Sequence, residues 1–105
     1  MADKSTLMLA TELLDQAIHT LADRTKDYDA EARGGERSIP KVVAAFNVIT
    51  GHKLTNEQGW LFMVLLKAVR SQQGAFKPDS YVDGSAYFSL MGEEASEERV
   101  PKSEN

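Results

Sequence analysis

The sequence predicts an all-α fold, a small bundle of about four helices with a disordered acidic C-terminal tail. Three observations carry that expectation. Apolar residues recur at helical spacing over residues 5–25. Three later segments open with recognisable helix-start chemistry. The most apolar stretch, Trp60 to Val69, has only Val64 and Val69 as β-branched residues, and its length favours a helix over a strand. A chain of 105 residues has room for one domain, here residues 1–92, followed by the tail 93–105.

In the first predicted helix, Leu7, Ala10, Leu14, Ala17, Ile18 and Leu21 form the apolar stripe and Ser5 is the N-cap. The segment KDYDAEARGGERS then breaks the pattern, with Gly34-Gly35 as the break. Ser38-Ile39-Pro40 starts a second helix, because proline in the first turn loses no intrahelical hydrogen bond. Its buried side is Val42, Val43, Phe46 and Ile49, and Thr50-Gly51-His52 ends it. Thr55-Asn56-Glu57-Gln58 fits a capping box for a third helix running to about Gln72, apolar on nearly every side through Leu66. Lys77-Pro78-Asp79-Ser80 begins a shorter fourth helix carrying Tyr81, Val82, Ala86, Phe88, Leu90 and Met91. Gly84 within it suggests a close helix contact. So short a chain offers few partners to cover the third helix, which places Trp60, Phe62 and Met63 at an interface between copies of the chain.

The formal charge is −4, and the tail carries five acids against Arg99 and Lys102, leaving the body nearly neutral. A body without a basic patch argues against duplex nucleic acid as a partner. The absence of cysteine excludes disulfides, thiolate metal sites and a cysteine nucleophile. The first residues lack a signal-peptide pattern, and no stretch approaches the ~20 apolar residues of a membrane span. A cytoplasmic protein without a membrane partner is expected.

Chemistry rests on carboxylates. Glu12 and Asp15 lie three apart, Asp79 and Asp83 four apart, so each pair shares a helix face. Converging on a cleft, these four would bind Mg²⁺ and through it a phosphate. Acids near helix N-termini also stabilise the helix dipole without further role. Lys26-Asp27-Tyr28-Asp29 offers a cation, an aromatic face and two carboxylates to a ligand; it reads equally as a turn whose tyrosine covers the core. His19 and His52 lack zinc-site spacing, and no Walker-type phosphate loop is present.

The order KDYD, VVAAFNVITG, KLTNEQGWLFMVLLKAVR and DSYVDGSAYFSLMGE resembles a group of small bacteriophage and prophage proteins. These are similar to nucleotide-modification-associated domains and, more remotely, to the all-α nucleoside triphosphate pyrophosphohydrolases of the MazG type. The resemblance covers roughly residues 10 to 94. It implies a phage accessory protein of the host cytoplasm that binds a nucleotide or phosphorylated small molecule through Lys26, Asp27, Tyr28, Asp79 and Asp83. If it is an enzyme, the resemblance implies a Mg²⁺-dependent pyrophosphohydrolase. The chain departs from the MazG pattern: its first helix offers only Glu12 and Asp15, its third has no acid after Glu57, and Asp29 stands where the phage motif has glycine. The other expectation is a non-enzymatic phage protein that inhibits a host defence protein or sequesters a signalling nucleotide.

Overall fold

The computed structural model describes the backbone of residues 7–28 and 38–101, and the side chains of 7–23 and 38–101. Ser5, Asp29 and the Gly34-Gly35 break lie outside the described residues. The described residues form an all-α bundle of four helices: α1 (Ala10–Tyr28), α2 (Ser38–Thr50), α3 (Asn56–Ser71) and α4 (Pro78–Arg99). Among the described residues, no helix is long and apolar enough to cross a membrane.

The helix starts follow local chemistry. At α3 the Gln58 backbone N–H donates to the Thr55 hydroxyl at 3.1 Å, and the Thr55 N–H donates to Gln58 Oε1 at 2.9 Å, completing the expected capping box. Pro78 occupies the first turn of α4. Gly51, at φ 79°, closes α2 in the left-handed conformation, and its N–H donates to the Asn47 carbonyl. Asn47 also brackets the turn, donating to the Leu54 carbonyl at 3.0 Å and accepting from the Leu54 N–H at 2.9 Å. Because exposed caps act chiefly on their own helix, Thr55→Ala should lower unfolding free energy by about 1 kcal/mol. Urea melts followed by circular dichroism would read this as a lower midpoint with unchanged slope.

α4 is the central element, packed against α3 and α1, whereas among the described residues α2 packs against α3 alone. Two clusters make the core. Ala17 meets Val82 and Ala86, with Leu13 and Leu21 against them. Trp60, only 1% exposed, meets Tyr87 and Leu90, with their neighbours Leu21, Ile39, Met63, Val64 and Met91. The Trp60 and Tyr87 rings sit 5.6 Å apart at 34°. Since Ala17 clusters with Val82 and Ala86 while Leu21, one turn on, also packs against the cluster of Trp60, Tyr87 and Leu90, α1 and α4 run in the same direction.

Several expectations are corrected. The inward stripe of α1 is Leu13, Ala17 and Leu21, while Leu14 and Ile18 face solvent. On α2 only Val43 is buried; Val42, Phe46 and Ile49 are exposed, because among the described residues no second helix covers them. Trp60 belongs to the core of one chain and is unavailable to an interface between copies. α4 is the longest helix rather than a short one, and it continues past residue 92 to Arg99. That extension buries Glu94, 8% exposed, and lets Arg99 donate through Nε and Nη2 to both carboxylate oxygens of Glu57. The Glu57 charge and hydrogen bond raise the Arg99 pKa above its ordinary value. A composition poor in apolar residues therefore did not define the helix end. The close glycine contact is at Gly59, not Gly84: a Cβ on Gly59 would lie 2.5 Å from Val43 Cγ2, whereas one on Gly84 would sit 3.6 Å from Lys67 Cβ.

Candidate ligand-binding cleft

Six residues after α3 ends, the chain re-enters the bundle as α4, so the C-terminus of α3 and the N-terminus of α4 lie side by side. Gly74, at φ 72°, supplies the left-handed turn between them. Two adjoining hollows open along this seam and share Lys67 and Ser80.

The first hollow, about 470 Å³, has apolar walls from Val64, Ala68, Gly84, Tyr81 and Phe88. Tyr81 is held by a stacked Phe76, ring centroids 5.6 Å apart. Gly84 contributes no side chain and so leaves the floor open to a flat group. The second, about 330 Å³, is polar and gathers Arg70, Gln73, Lys77 and Asp79 at the start of α4. At the junction the Lys67 ammonium meets Asp83 Oδ2 at 3.1 Å, with both side chains largely buried. One half of the cleft is thus suited to a planar apolar group and the other to an anion.

This arrangement places the expected site residues as follows. Asp79 lines the polar hollow, and Asp83 holds Lys67 at its edge. Glu12 and Asp15 face another way, in a shallow hollow lined only by α1 and the residues before it. Glu12 accepts the Leu9 N–H at 2.7 Å, acting as the helix-end acid, and Asp15 Oδ2 lies 3.6 Å from His19 Nδ1. Among the described residues no group of three or more His, Cys, Asp or Glu side chains is placed to hold a metal ion. The four carboxylates therefore do not fit a shared Mg²⁺ set.

Lys26, Asp27 and Tyr28 form the last turn of α1 rather than a loop, and their side chains lie outside the described residues. Because α1 and α4 run the same way, that turn stands at the opposite end of α4 from Asp79, on the order of 20 Å away at 1.5 Å per residue. A single small ligand does not span that gap.

Arg70, Gln73 and Lys77 were not singled out from sequence, nor was the placing of Tyr81 and Phe88 along one hollow. A signal existed: basic residues at one helix's end and just before the next helix's start, joined by a short connection, must converge.

A family model described as a domain of unknown function, DUF6378, matches residues 12–95. No curated protein and no solved structure gives a match.

Proposed function

We propose, for a chain that belongs to the DUF6378 family of unknown function, that the α3–α4 cleft binds a phosphorylated small molecule bearing a flat apolar group, a nucleotide being the natural class. The observation that carries this reading is the direct junction of an aromatic-walled hollow with a cationic one. A base would lie against Tyr81 and Phe88. A phosphate would meet Arg70 and Lys77. Asp79 shares the polar hollow, and its charge opposes a bare phosphate. Mg²⁺, which commonly binds through one or two carboxylates plus ligand phosphates and water, would convert that opposition into a bridge. The reading is one of binding, which the paired aromatic and cationic walls support without a reacting group. With the resemblance to phage proteins, it supports an accessory protein that sequesters a nucleotide in the cytoplasm of a host bacterium.

The test is thermal melting with nucleoside mono- and triphosphates, unphosphorylated nucleosides and inorganic phosphate, each with and without Mg²⁺. Ligand at 100 times its Kd stabilises by about 2.7 kcal/mol, so phosphorylated nucleosides should raise Tm by several degrees and nucleosides far less. Arg70→Glu and Lys77→Glu, both at exposed positions, should abolish the shift while leaving the unliganded Tm nearly unchanged. A panel that gives no shift, or a shift indifferent to both variants, overturns the reading. Docking onto a host protein, the other expectation, would use the exposed apolar face of α2 and α3 and leave the chain monomeric by itself.

A further inference from the structure

Among the described residues helix α2 is held by α3 alone, and the α2–α3 hairpin leaves a groove of about 400 Å³ on its outer side. Its floor is Ile39, Val43, Gly59 and Met63, where the missing side chain of Gly59 lets the helices approach. Two exposed apolar stripes run on from it. Val42 and Phe46 of α2 and Phe62 of α3 line the groove, and the stripes continue past it to Ile49, at i+7 from Val42, and to Leu65 and Val69, at i+3 and i+7 from Phe62. All six are between 40% and 81% exposed.

We infer that this face docks a second copy of the chain, the two hairpins closing into a four-helix bundle about a twofold axis. Charge is the first argument. No stripe position is ionisable in a chain that is 27% charged, so laying the face on its own copy brings no like charges together. A stripe meant for a charged partner would carry the complement. Shape is the second. An isologous interface needs protrusion and recess on the same surface, and here Phe62 projects beside a groove roomy enough for an aromatic side chain. Area is the third. The exposed parts of the six side chains amount to roughly 600 Å², on the scale of the ~800 Å² per partner that a stable interface buries. A two-helix hairpin covers one seam only, and four helices are the smallest bundle that encloses both stripes. Met63 and Phe62 keep the interface role expected from sequence, and Trp60 gives it up to the monomer's core.

The test is the solution mass of the full chain by sedimentation equilibrium or light scattering. The wild type should run at twice the 11.6 kDa of one chain, with a Tm that rises with concentration. Phe62→Glu should return it to a single-chain mass while keeping its helical circular dichroism. Ile49→Glu, at an 81% exposed site on the other helix, should do the same and decides the matter should Phe62→Glu misfold. Ile18→Glu, on the exposed face of α1, should leave the dimer intact. A wild type of single-chain mass at high micromolar concentration overturns the inference and assigns the face to a different partner. So does a dimer that survives both face variants or is lost in Ile18→Glu. Arg70→Glu removes ligand binding without touching this face, so the two proposals fail independently.

Discussion

Replacing Trp60 with alanine should lower unfolding free energy by about 3 to 5 kcal/mol, the range for removing a buried large aromatic. Among the described residues the indole is the one large side chain almost wholly enclosed, and its cluster joins three helices: it sits on α3, lies tilted against Tyr87 of α4, and Leu21 of α1 packs on the same cluster. Its removal opens a cavity that helices fixed by short connections cannot fully collapse. A domain of this size has little stability to spare, so much of the population should be unfolded at 37 °C. Trp60→Phe keeps an aromatic against Tyr87 and should cost less than half as much. Urea denaturation at fixed protein concentration separates the two. The variant also distinguishes core from interface: Phe62→Glu should change mass with little loss of helix, whereas Trp60→Ala should lose helix. A Trp60→Ala protein as stable as wild type would mean the two core clusters are not organised around the indole.

Features written in a few neighbouring residues were legible in the sequence. The capping box at Thr55, the proline start of α4 and the glycine end of α2 need only local chemistry, and each stands where its residues put it. The phase of a helix was harder to read. Leu13 and Leu14 both fit a helical stripe, and the choice of Leu13 is made by Val82 and Ala86 across the seam. Helix α4 extends through charged residues because its anchor, Glu57, lies 42 positions earlier in the chain. Composition carries no trace of such a pairing. The candidate site divides the same way. Asp79 and Asp83 belong to the α4 start and were recognised there. Lys26 to Tyr28 were joined to them only through the family resemblance, and side-chain spacing does not encode which way α1 runs past α4. Arg70 and Lys77 become one cationic pocket only when α3 and α4 pack together.

Gly59→Ala should destabilise the chain by about 2 kcal/mol, although alanine is the better helix former. Helix propensity favours the substitution by about 1 kcal/mol. Against it stands overpacking, about 3 kcal/mol where the surroundings cannot yield. The added Cβ would fall 2.5 Å from Val43 Cγ2 and 2.8 Å from Ile39 Cγ2. Both methyls belong to β-branched side chains on a helix, which are confined to one favoured rotamer and cannot swing aside. Helix α2 must therefore move, and with it the groove between α2 and α3. Val43→Ala removes the nearer methyl, so it should cost less in the Gly59→Ala background than in the wild type, by a coupling of order 1 kcal/mol in a double-mutant cycle. Gly84→Ala is the comparator on the facing helix, because its Cβ would make only an ordinary 3.6 Å contact with Lys67 Cβ. Propensity then acts unopposed, and Gly84→Ala should stabilise by up to about 1 kcal/mol. Opposite signs at two helical glycines are the result to look for in paired urea melts. The same sign at both would mean that α2 rides on α3 more loosely than the Gly59 contact requires.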